Sequence, residues 1–168
     1  INPGAESGID NWTVTEGYME SLQAYECNGV EPHSGDYYFA VGALCNSVSY
    51  AQTEQVVNIS EYSECIDLGL SELNYGGYLS NWGGSDHPEI AVFFLNENND
   101  DLGQGITLDT YNSTWTLLDH SIPIPPQTRK VKFILMGTRF SGEDNDCYFD
   151  DLSIKVWRHS DCINESLL

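Results

Sequence analysis

Two acids open the most strand-like segment near the end of this 168-residue chain, residues 147–157, CYFDDLSIKVW. Leu152, Ile154 and Val156 alternate as on the inner face of a half-buried strand. Counting back by twos puts Asp150 on that inward face, where a lone carboxylate is costly unless something meets it. Asp151 points the other way, to the surface. Two further acid clusters, GEDND (142–146) and NENNDD (96–101), are crowded like calcium loops. Neither has the spacing of an EF-hand, and a solvated turn explains each. A different chemistry sits in YGGYLSNWGGSDH (75–87). With Leu79 inward, Tyr78, Ser80 and Trp82 face outward, and exposed aromatics are what sugar rings stack against. Asp86 and His87 follow closely and could bond sugar hydroxyls; a protein contact is the competing use of the same aromatics.

No catalytic motif accompanies these residues. The chain has no G-x-S-x-G elbow, phosphate loop, H-E-x-x-H or nucleotide fingerprint, and its four histidines, His33, His87, His120 and His159, are scattered. Six basic against twenty-six acidic residues, a formal charge of −20, excludes nucleic acid and anionic membrane surfaces as partners. Acid spread along the chain, with many Asn and few Lys, suits a hard, oxygen-seeking cation such as calcium. No apolar run approaches the length of a membrane span. Four N-glycosylation sequons, at Asn11, Asn58, Asn112 and Asn164, point to a secreted eukaryotic glycoprotein, numbered from a processed end or from inside a longer chain. The five cysteines lack paired C-x-x-C spacing. Cys27 and Cys45 flank one turn-rich segment and are the first choice of disulfide, and the odd cysteine is either free or bonded to another chain.

These groups must be held by strands. NWTVT, YYFAVG, SVSYAQTEQVVNI, GYLSNW, EIAVFFLN, ITLDTYNSTWTLLDHSI, KVKFILMG and YFDDLSIKVW are rich in β-branched and aromatic residues, and Gly, Asn, Pro and Asp clusters separate them. No segment sustains the periodicity of an amphipathic helix. Eight or so strands at this spacing imply an all-β antiparallel sandwich, a jelly roll, over residues 1–157, with a C-terminal tail at 158–168. Trp12 and Trp115 read as partly buried structural residues.

NPGAESGIDNW, EPHSGDYYFAVG, AQTEQVVNI, AVFFLNENNDDLG, PPQTRKVKFIL and NDCYFDDLSI follow one another in an order that resembles galactose-binding-like jelly rolls. That group includes non-catalytic carbohydrate-binding modules and MAM-type secreted domains. The resemblance implies a structural calcium tying the first strand to the last. Its matching positions here are Glu6 in the opening turn, Asp36 in the HSGD loop and Asp150. The alternative is that Asp150 takes backbone N–H bonds while Glu6 and Asp36 are solvated.

The expected function is a non-catalytic extracellular module, stabilised by calcium, that binds a glycan or glycoprotein partner in adhesion or recognition through Tyr78, Trp82, Asp86 and His87. The alternative is a structural subunit that self-assembles into an extracellular filament or matrix, with the odd cysteine bridging chains.

Overall fold

The computed structural model describes residues 2–164. Eleven strands form two antiparallel sheets. In chain order they are β1 (Thr13–Glu16), β2 (Met19–Gln23), β3 (Tyr37–Val41), β4 (Tyr50–Asn58), β5 (Ser71–Ser80), β6 (His87–Leu95), β7 (Asp101–Gln104), β8 (Leu108–Asp109), β9 (Thr116–Pro123), β10 (Lys130–Thr138) and β11 (Tyr148–Arg158). One sheet runs β1-β4-β10-β6-β7, with β8 also against β6; the other runs β2-β3-β11-β5-β9. From β3 onward the chain crosses repeatedly between the sheets, so inward residues of sequence neighbours meet face to face, as in a jelly roll.

The period-2 pattern produces the main core. Ile90, Val92 and Phe94 of β6, Val131, Phe133 and Leu135 of β10, and Leu73, Tyr75 and Leu79 of β5 pack between the sheets. A smaller cluster of Leu22, Tyr38, Ala40, Leu44 and Tyr148 lies on the outer face of the five-stranded sheet, under the loop that the Cys27–Cys45 disulfide closes. A bulge between Asp150 and Ser153 interrupts the pairing of β11 with β5, and Asp151 there has φ 46°. The bulge leaves Asp150 and Leu152 both buried.

Three details differ from the sequence reading. ITLDTYNSTWTLLDHSI is not one strand: it breaks into β8 and β9 around residues 110–115. Two short helices occur, α1 (Ser63–Asp67) and α2 (Ser160–Asn164), too short to show an amphipathic period. The tail does not begin at 158, because β11 runs through Arg158 and a Cys65–Cys162 disulfide ties α2 to α1. Cys147 is free and fully buried, so the odd cysteine cannot bridge chains in this fold.

Candidate functional site

The loop 33–37 is clasped from both sides. Asp150 Oδ2 accepts hydrogen bonds from the backbone N–H of His33 (2.8 Å) and Ser34 (3.0 Å), and Oδ1 accepts from the Asp151 N–H (2.7 Å). Glu6 Oε1 accepts from the N–H of Asp36 (2.9 Å) and Tyr37 (3.0 Å). Gly35 turns the loop at φ +65°, where a Cβ would stand 2.2 Å from Glu6 Oε1, so only glycine lets the carboxylate in. Amide donors therefore meet Asp150. Burial still outweighs them and pushes its carboxyl up to about 6. Asp151 is not an idle surface acid: its carboxylate bonds the Ser34 hydroxyl (2.7 Å) and the His33 ring (2.6 Å).

Oxygen donors throughout suit calcium. The convergence of three carboxylates does not occur, since among the described residues no group of three His, Cys, Asp or Glu could hold a metal ion. Asp36 meets Glu6 through its amide, with its own residue exposed.

Tyr78, Trp82, Asp86 and His87 do not form one platform. Leu79 is in the core, as its parity requires, and Tyr78 lies on the outer face, but the His33 ring stacks on Tyr78 at 3.4 Å and covers it. Asp86 is buried: its carboxylate accepts the N–H groups of Phe140 (2.8 Å), Ser141 (3.2 Å) and Asp146 (2.9 Å) and staples the 140–146 loop. Burial beneath that loop keeps it out of a sugar's reach. Part of GEDND is likewise interior, with Asn145 buried and donating to the carbonyls of Val48 and Gly137. His87 starts β6 in the other sheet and is held by Asp109 at 2.8 Å and stacked on Tyr111 at 4.7 Å.

Trp82 is the residue of that set left free. The buried Asn81 builds its turn from inside, its Oδ1 accepting from the Gly84 N–H (2.7 Å) and its Nδ2 donating to the Asp86 carbonyl (2.9 Å). The indole stands outside, 62% exposed. Across from it is Tyr25, 65% exposed, and the two line a cleft of about 540 Å³ with Asn28, Gly29, Val30 and Glu31. A hydrogen bond to Glu31 raises the Tyr25 hydroxyl pKa. Trp115 braces this lip by donating its Nε1–H to the Glu31 carbonyl (2.9 Å). Two exposed aromatics with an amide and a carboxylate beside them have the chemistry of a sugar subsite: rings to stack on and groups to bond hydroxyls. The sequence reading missed Tyr25; its one signal was its place two residues ahead of the loop that Cys27 and Cys45 close.

A second aromatic group lies on the outer face of the six-stranded sheet. The register places Tyr50, Thr138 and His87 in one row across β4, β10 and β6. Tyr111 and Phe140, 55% and 66% exposed, flank His87, with Asp109 and Glu89 beside it. Of the sequons, Asn11, Asn58 and Asn112 are exposed, and Asn112 Nδ2 donates to Thr116 Oγ1; the Asn164 side chain lies outside what the structure describes.

No family model matches the sequence, and no curated protein matches it. Solved structures do. A family 16 carbohydrate-binding module is 18% identical at a TM-score of 0.54, with 94% of this chain and 98% of that one covered. A family 22 xylan-binding domain from Paenibacillus barcinonensis is 13% identical at a TM-score of 0.54, with 94% of both covered. The enzymatically active domain of tailspike protein 4 from bacteriophage CBA120 is 13% identical at a TM-score of 0.66; 94% of this chain is covered, but only 21% of the tailspike chain. What these likenesses share is architecture, and with two antiparallel sheets and the repeated crossing between them on view, the chain has a jelly-roll β-sandwich fold like that of these carbohydrate-binding modules.

Proposed function

We propose that this chain is a non-catalytic extracellular module that binds glycans in the cleft between Tyr25 and Trp82. The observation that carries the reading is the pair itself: two aromatic rings, both more than half exposed, on one cleft with Asn28 and Glu31. Burying two such rings against a sugar gains apolar contact that solvent exposure wastes. A glycan array that includes xylo-oligosaccharides tests it, because a similarly folded neighbour is a xylan-binding domain. Binding should appear and be lost in Trp82→Ala. A second reading places the sugar on the Tyr111–His87–Phe140 group, favoured by the exposure of Tyr111 and Phe140 beside two acids. Loss in Tyr111→Ala with Trp82→Ala unaffected selects it.

Two disulfides fit an oxidising, extracellular location and an adhesion or recognition role there. Calcium is part of the proposal in reduced form: Glu6 and Asp150, which clasp one loop, would hold it with neighbouring carbonyls. Calcium removal by EDTA then lowers the melting temperature, and readdition restores it; an unchanged value leaves the amide bonds as the whole clasp. The self-assembly alternative, a subunit of an extracellular filament or matrix, predicts regular fibres under negative stain, where the module reading predicts single particles.

A further inference from the structure

Both sheets have an open edge at one seam. β1 pairs with β4 no further than Glu54, so Gln55–Asn58 have no strand on that side among the described residues. β3 pairs with β11 only at Tyr148 and Phe149; the Pro3 carbonyl takes the Leu152 N–H, and the rest of β11 is likewise open on that side. The two open edges face one opening. Clefts of about 440 and 400 Å³ adjoin there, lined by Val56, Val57, Ile154 and Val156. Unpaired strand edges beside apolar side chains invite another strand to add, and secreted β proteins must block this. The β11 side carries two exposed charges, Lys155 and Arg158, and Glu61 stands at the rim of the second cleft, but the Gln55–Asn58 edge itself carries none.

Two sequon asparagines stand on this seam. Asn11 lines the first cleft, and Asn58 lines both. Each residue is exposed, and Asn58 Oδ1 holds the Ser60 N–H (2.8 Å), which leaves Nδ2 as the atom open to a sugar donor. We propose that N-linked glycans on Asn11 and Asn58 cap the open edges of the sandwich and keep copies of the chain from pairing strand to strand. The transfer needs a lipid-diphosphate-linked oligosaccharide. Nδ2 bonds to the anomeric carbon, the carbon–oxygen bond to the diphosphate breaks, one amide proton leaves, and the lipid diphosphate departs. A bulky, hydrated chain rooted at the lip then occupies the space an incoming strand would need.

The test is secretion from a eukaryotic host, glycopeptide mapping, and light scattering of the eluted protein. Thr13→Val and Ser60→Ala abolish the two sequons without touching either asparagine, and Thr114→Val removes the one at Asn112 as a control. Asn11 and Asn58 should carry glycans, and the Thr13→Val/Ser60→Ala double variant should leave the monomer peak for dimers and larger species. Thr114→Val should stay monomeric. Trimming the folded wild-type protein with an endoglycosidase should reproduce the double variant's shift, which covers the case in which that variant folds poorly. Unmodified Asn11 and Asn58 in a chain that carries sugar at Asn112 overturns the proposal, as does a trimmed protein that remains monomeric. A chain with no sugar at any of the three overturns the secreted-glycoprotein reading with it.

Discussion

Asp86 and Asp150 are both fully buried carboxylates that bind three backbone amides each, and their consequences differ by location. Asp86 ties the 140–146 loop to the end of β6, so Asp86→Ala strands three amides in the interior. A loss of about 3 kcal/mol or more in urea unfolding is expected, by the cost of unsatisfied partners of a charged group. Asp150 is raised to about 6 by burial. A folded pKa above the unfolded value near 3.9 means that the folded state binds the proton more tightly between about pH 4 and 6. Stability from this group is therefore complete below about pH 4 and falls as pH rises to 6. In calcium-free buffer, wild-type unfolding free energy should drop through that window relative to Asp150→Asn; parallel profiles would contradict the assignment. Parity made Asp150's inward aim legible in the sequence. Its partners were not, since two of the three amides come from a loop more than a hundred residues earlier. Trp82 is exposed as the parity count expected, but it stands in the turn after β5, where strand parity no longer governs, and Ser80, outward by the same count, is buried. Asp86 looked like a ligand group because burial by a distant loop leaves no local mark.

At the scale of elements, the β-branched alternation of β4, β6, β10 and β11 identifies the strands that build both sheets. β2 (MESLQ) and α1 have no such pattern and owe their places to tertiary contacts. The Cys65–Cys162 bond shows this best, because it joins the α1 turn to a tail that sequence spacing alone assigned to no element. It closes a loop of 97 residues, and loops of that size gain most from cross-linking. Cys162→Ser should lower stability by about 2–5 kcal/mol, read from denaturant midpoints. A cost near zero would mean that the tail adds nothing to the fold. α1 is held a second time by Asp67, whose carboxyl hydrogen-bonds to Arg129 and is thereby lowered below its usual range. Its contribution is present above the unfolded carboxylate pKa and is lost as pH falls through the lower folded one. Both partners of this pair are partly exposed, so Asp67→Asn should cost less than about 1 kcal/mol at neutral pH.

For the whole molecule, a charge of −20 opposes compaction by self-repulsion, and salt screens it. The melting temperature should rise between low and physiological ionic strength even without calcium; a flat response would mean that the paired and amide-bound acids have already neutralised the field. The overall architecture was legible because a sandwich is specified by alternation and turn chemistry repeated along the chain. The position of the Tyr25–Trp82 cleft was not. It depends on how the disulfide-closed 27–45 loop folds back beside the turn at Trp82, a meeting of segments more than fifty residues apart. Isothermal titration of the best array hit into wild type, Trp82→Ala and Tyr25→Ala, with melting temperatures measured alongside, tests the glycan-binding reading most directly. Binding lost at least tenfold in both variants, with the fold intact, is the expected result; unchanged affinity in both would contradict it.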